Sequence, residues 1–206
     1  MNKISKIIIL SVLTLILIVT GYLLYDKWLE SKMGLVSFEN VSEEQVDGKR
    51  YIENKEVGLR FAIPEGWEVQ KDDMGLSMHS SDFVPVEKND LLPQSGCSVV
   101  VNSDRQEKNS DYDRQYSSLE RNISNENLLA DNSETSKKEI IELAGLKGIR
   151  HEFYMANSFN VQGNVISILI PYNEVIYSFE TYFFGEDKES CLREFNNFLT
   201  TVTIKK

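Results

Sequence analysis

The chain has 206 residues, 41% hydrophobic and 26% charged, with 32 acidic against 22 basic side chains and a formal charge of −10. That length holds one domain with a proper core and a modest appendage rather than two ordinary domains, and the composition excludes a disordered chain. The acidic balance argues against nucleic acid and anionic lipid head groups as partners, and fits a surface that keeps a domain soluble.

The first thirty residues hold a disproportionate share of the apolar side chains. Lys3 and Lys6 precede an uncharged run from Ile7 to Tyr25 rich in Ile, Leu and Val. As a helix these nineteen residues reach roughly 28 Å, enough to cross the hydrocarbon layer. Tyr22, Tyr25 and Trp28 stand at the far end, where aromatic side chains settle at a membrane–water interface. A cleaved signal would show small residues where "YLLYDKWLE" stands, and a lipoprotein signal needs a cysteine directly after the apolar core, whereas the two cysteines are Cys97 and Cys191. Residues 1–30 therefore read as a cytoplasmic tip and uncleaved transmembrane signal anchor. Positive charge on the short N-terminal side, against the balanced Asp26, Lys27, Glu30 and Lys32 beyond, puts the bulk of the chain outside the cytoplasm.

Residues 31–50 show little periodicity and several acids, and are expected to form an extended tether to a domain over residues 51–206. Leu59, Phe61 and Ile63 alternate with Arg60 and Ala62, which marks a half-buried strand. Pro64, Glu65 and Gly66 then supply a turn before Trp67 and Val69 resume. Further strands are expected at "GLSMHS", "CSVVVNS", "KEIIELA", "LKGIRHEFYMA", "NVISILIPY" and "VIYSFETYFFG", the last with Val175, Tyr177, Phe179 and Phe183 on one face. Tyr112, Tyr116, Leu119 and Ile123 fall at helical spacing, as do Cys191, Leu192, Phe195, Phe198 and Leu199 in a helix from about Asp187 to Thr200. Strands apolar on both faces and joined by hairpin-length connections predict an α+β sandwich whose mainly antiparallel sheet is covered on both sides.

"YIENKEVGLRFAIPEGWEV", followed by a polar segment with a helix, "IIELAGLKGIRHEFYM", paired late strands and a closing amphipathic helix, resembles the PsbP-like domains. That group includes the extrinsic PsbP protein of photosystems and bacterial envelope proteins of the DcrB type. The resemblance covers about residues 51–204 and rests on Gly58, Phe61, Pro64, Gly66 and Trp67 as a fold signature. It implies an α–β–α sandwich and a non-enzymatic accessory or binding role, and it carries over no functional residue.

Local chemistry offers few sites. His79 and His151 lack the spacing of metal ligands, and strand alternation sets His151 beside Ile149, Phe153 and Met155, as a core histidine. Cys97 follows Gly96 at a strand start, where with a histidine it would form the nucleophile of an envelope cysteine hydrolase. Cys97 and Cys191 could instead form a disulfide. Cys191 also fits an apolar helix face as a reduced thiol, and that reading is preferred. Asp111 and Asp113 lack the central glycine of a calcium loop, so Asp111 reads as a helix cap. The long polar insertion from Ser80 to Gly96 presents Phe83, Leu91 and Leu92 as a partner-binding tip or as a cap folded back on the sheet.

The expectation is a membrane-anchored extracytoplasmic accessory or binding domain of the cell envelope. The membrane is contacted through residues 7–25, an envelope protein or small ligand is the partner, and neither cofactor nor catalysis is expected. The alternatives are a cysteine hydrolase using Cys97, or a structural subunit of a membrane complex.

Overall fold

A computed structural model describes residues 34–71, 75–86, 89–106, 117, 137–156, 162–184 and 188–205. The apolar run over residues 7–25 and the helix expected around residues 112–123 lie outside them. Residues 35–206 cluster as one compact unit.

The larger sheet is built from β1 (Gly34–Leu35), β5 (Glu68–Lys71), β6 (Leu76–His79), β9 (Ser98–Arg105), β10 (Lys137–Leu143), β11 (Leu146–Ala156), β12 (Gln162–Tyr172) and β13 (Val175–Phe184). Its order is β10-β11-β12-β13-β9-β6-β5, with β1 also on β9, and the neighbours along this order are antiparallel. A smaller antiparallel sheet has the order β14-β4-β3-β2, from β2 (Ser42–Val46), β3 (Lys49–Asn54), β4 (Leu59–Ala62) and β14 (Thr203–Ile204). A two-stranded ribbon, β7 (Val84–Val86) with β8 (Asn89–Ser95), is formed by the long insertion, and one helix, α1 (Lys188–Leu199), precedes β14.

The tight links β10–β11 and β12–β13 are possible because Ala144, Gly145, Asn173 and Glu174 all adopt left-handed backbone conformations, which two-residue antiparallel hairpins demand. Strand alternation then sorts the sheet into two faces. Leu76, Met78, Val99, Val101, Ile166, Ile168, Ile170, Tyr177, Phe179 and Phe183 belong to one core cluster together with Ile52, Leu59 and Phe61 of the small sheet and Cys191, Phe195 and Phe198 of α1. Phe198 lies at the junction, with ring centroids 5.5 Å from Phe61 and 6.1 Å from Phe179. The buried Tyr177 hydroxyl donates to the Val57 carbonyl at 2.7 Å, so its one polar group is satisfied inside the core. Burial pushes that phenol up to about 12.

Of the tether expected for residues 31–50, residues 35–50 are instead part of the folded unit. Val36 and Phe38 are buried in the core, the Val36 N–H donates to the Ser103 carbonyl at 2.8 Å, and β2 pairs in register with β3. The reason the strand escapes pattern reading is that all five residues of β2 are exposed. It is held by main-chain pairing, by the Asp47-Gly48 turn with both residues left-handed, and by ion pairs Arg50–Glu43 (2.7 Å) and Arg60–Glu44 (2.8 Å). Exposed pairs of this kind contribute about 0–1 kcal/mol each, so they fix the strand's position more than the domain's stability.

Candidate functional site

Two adjoining clefts lie along α1. The larger, about 680 Å³, is bounded by the β2–β3 turn (Asp47, Gly48, Lys49, Arg50), the segment from Ala62 to Gly66, and the C-terminal half of α1. Its floor is fixed by hydrogen bonds that join distant parts of the chain. Thr201 Oγ1 accepts the Ala62 N–H at 3.0 Å and donates to the Phe198 carbonyl at 2.7 Å, while the Ile63 N–H donates to the Arg50 carbonyl at 2.8 Å. One wall carries Asp47, Lys49 and Arg50, the last already paired with Glu43, and the other carries Glu65 and Glu194, so the first is of mixed sign and the second acidic.

The smaller cleft, about 410 Å³, shares Glu65 and Glu194 and adds Trp67, Ser80, Asp82, Cys97 and Ser190. Cys97 is disulfide-bonded to Cys191, with Cα atoms 5.3 Å apart, which ties α1 to the strand entering the sheet. This overturns the reduced-thiol reading of Cys191: an apolar helix face buries a disulfide sulfur as readily as a thiol, so the pattern could not separate them. It also removes the thiolate that a Cys97 nucleophile requires. Gly96 is obligatory here, because it is left-handed and a Cβ on it would lie 2.7 Å from the Phe83 Cα.

The signature residues shape the same region. Gly66 is left-handed in open space, the Trp67 N–H donates to the Pro64 carbonyl at 3.2 Å, and the Trp67 side chain is 6% exposed against the core. Phe61 is fully buried, and a Cβ on left-handed Gly58 would come 3.2 Å from the Lys205 Cβ.

These are the elements by which known structures can be compared. No protein-family model and no curated protein matches the sequence. Among solved structures, cyanobacterial PsbP (CyanoP) from Synechocystis sp. PCC 6803 superposes with a TM-score of 0.53 at 9% identity, covering 78% of this chain and 95% of that one. The fold is PsbP-like. LpqN, described as involved in cell envelope biogenesis of Mycobacterium tuberculosis, superposes with a TM-score of 0.52 at 9% identity, covering 82% of this chain and 93% of its own.

Within this PsbP-like frame the insertion residue Phe83 is half-buried with its ring 4.1 Å from that of His79. Leu91 and Leu92 fall on β8, and their side chains lie outside the described residues. No group of three or more His, Cys, Asp or Glu among the described residues is placed to hold a metal ion.

The second face of the large sheet carries a row, polar except at Val100, that single-strand patterns missed. Register aligns Lys138, His151, Ser167, Glu180, Val100, Ser77 and Gln70 across seven successive strands. Glu180 accepts from the Ser167 and Ser178 hydroxyls at 3.3 Å each and from Tyr182 at 2.5 Å. Burial and the neighbouring carboxylate push the Tyr182 phenol above its ordinary range.

His151 is 4% exposed, stacks on Phe153 at 4.8 Å, and its Nε2 has no hydrogen-bond partner among the described residues. Burial, and then the Lys138 charge, hold its pKa below the ordinary 6.5. The unfolded chain therefore takes up the proton first, so the stabilisation is complete above pH 6.5 and is lost as pH falls from there through the folded-state value. Urea midpoints measured from pH 7.5 down to pH 5 are expected to drop over this range, and His151→Phe is expected to flatten the drop. An unchanged slope in the variant would assign it to other groups. Glu43 acts in a separate window: hydrogen bonding to Arg50 lowers its pKa, so its contribution is lost only below 4.5.

Proposed function

We propose that this chain is a membrane-anchored, extracytoplasmic accessory domain of the cell envelope that binds a partner through the cleft along α1. The observation that carries the reading is the cleft itself. Its two charged walls are presented on a rigid frame, tied down by the Cys97–Cys191 disulfide and by the hydrogen bonds of Thr201. Three further features support it: the PsbP-like fold, shared with LpqN, a protein of envelope biogenesis; the apolar run ahead of the domain; and a disulfide, which persists in oxidising compartments. One wall of mixed sign and one acidic wall suit a partner segment that itself carries both signs, and charge complementarity of this kind sets register and specificity more than raw affinity.

Two experiments test this. Protease added to intact cells should degrade the domain without lysis, and protection would overturn the topology. Affinity capture of the full chain from its native membranes should retain a partner that is lost with Glu194→Lys, a change on the exposed wall that leaves the core intact. Equal recovery by native chain and variant would remove the cleft from the interaction.

A further inference from the structure

The two clefts meet at Glu65 and Glu194, which line both, and the smaller cleft adds Asp82. No basic side chain lines the smaller cleft, and its apolar surface comes from Trp67 and the disulfide-bonded Cys97. Glu65 and Asp82 are exposed, and among the described residues neither carboxylate is taken up by an ion pair or a hydrogen bond. Glu194 has one cation nearby, its chain neighbour Arg193, at 4.0 Å. That guanidinium also donates to Ser190 Oγ at 3.2 Å and its side chain is 67% exposed, so it holds the carboxylate weakly. Across the larger cleft Arg50 is bound to Glu43, which leaves Lys49 as the free base on that wall.

Carboxylates gathered around one cleft repel one another, and a cation brought from outside relieves the repulsion. At exposed groups a salt ion does so without selectivity. A cleft of about 410 Å³ with an aromatic wall selects a longer group, whose alkyl stem lies along the ring while its charged head stays among the carboxylates. Lysine and arginine side chains have that form. Glu194 stands in the second turn of α1, past the turn whose positive dipole end would oppose a cation.

We propose that the smaller cleft is the specificity pocket of the binding site: it takes one lysine or arginine side chain of a partner polypeptide, the stem along Trp67 and the head among Glu65, Asp82 and Glu194. The partner's chain then continues along α1 into the larger cleft, past Lys49. This rests on the cleft reading above and names the part of the partner that decides the fit.

Peptides selected on the full chain in detergent from a random library displayed on phage are the probe. Those lost with Asn197→Trp, which fills the larger cleft without changing its charge, occupy the site, and they should share a lysine or arginine at one position. Replacing that residue by glutamine in the synthetic peptide should weaken binding about ten-fold or more, read by fluorescence anisotropy. Glu65→Gln together with Asp82→Asn should weaken the unaltered peptide to a similar degree and leave the glutamine peptide unaffected, because both changes remove the same contact. Glu142→Gln together with Glu174→Gln removes as much charge outside the clefts and should change binding by less than about two-fold.

Cleft-binding peptides with no shared basic residue would overturn the basic pocket and leave the cleft reading standing. So would a glutamine peptide as sensitive to the carboxylate changes as the original. An equal loss with the remote pair would reduce the effect to the net charge of the chain and overturn the pocket as well. If no selected peptide responds to Asn197→Trp, the cleft reading falls and the pocket falls with it.

Discussion

Replacing Cys97 and Cys191 together by alanine is expected to lower the unfolding free energy by about 4–5 kcal/mol, because the bond closes a loop spanning 94 positions and removes the corresponding freedom from the unfolded chain. For a domain of this size that corresponds to a fall in Tm of about 10–15 °C. The effect is large because both sulfurs are buried and join α1 to the sheet, so the native state gains a packing contact as well as losing a competitor. Urea denaturation of the oxidised native chain and the double variant reads the difference. A loss below about 1 kcal/mol would mean that the unfolded chain is held compact without the bond.

Phe198→Ala is expected to cost about 3–5 kcal/mol, the range for removing a buried phenylalanine ring. Its ring meets three others, those of Phe61, Phe179 and Phe195, at centroid distances of 5.5, 6.1 and 6.2 Å. Those contacts join α1, the small sheet and the large sheet at one point, and no single neighbour can relax to fill the space without leaving another. Phe198→Leu should retain more than half of the lost stability by keeping most of the volume. If alanine and leucine are equally damaging, ring packing rather than volume is what the site requires. Because the disulfide and Phe198 fasten opposite ends of the same helix, their combined loss is expected to be non-additive.

Much of the fold could be read from single strands. Alternation at Leu59–Ile63 and Val175–Phe183 located β4 and β13 and their buried faces, and the stripe of Cys191, Phe195 and Phe198 located α1. Val36 and Phe38 escaped because two buried side chains in a short acidic stretch make no period, and β2 escaped because it has no apolar side. β2 is exposed at every position, so nothing in "SEEQV" distinguishes it from a linker, and only the pairing of Glu43 with Ile52 and of Glu44 with Tyr51 makes it a strand.

The clefts were opaque for a different reason. Their walls come from residues 47–50, 62–67, 80–82, 97 and 190–201, and Glu65 was visible only as one letter of a turn. The polar row under the sheet is hidden in the same way. His151 could be assigned a face from its own strand, but Ser167 and Glu180 become its cross-sheet neighbours only once two strand registers are known.

Strand β14 pairs with β4, the Lys205 N–H donates to the Gly58 carbonyl at 3.0 Å, and Thr201 holds the amide of Ala62. These meetings bring together positions about 140 residues apart, as the disulfide does over 94. Loop closure of that kind is costly before any contact compensates it, and architectures dominated by such pairings fold on the scale of about milliseconds to seconds rather than microseconds. Until positions 198–205 arrive, β4 has one bare edge and Phe61 has no Phe198 to pack on. The newly made chain therefore passes through an interval in which its stickiest surface is open, and whatever shields that interval governs how much protein reaches its final form.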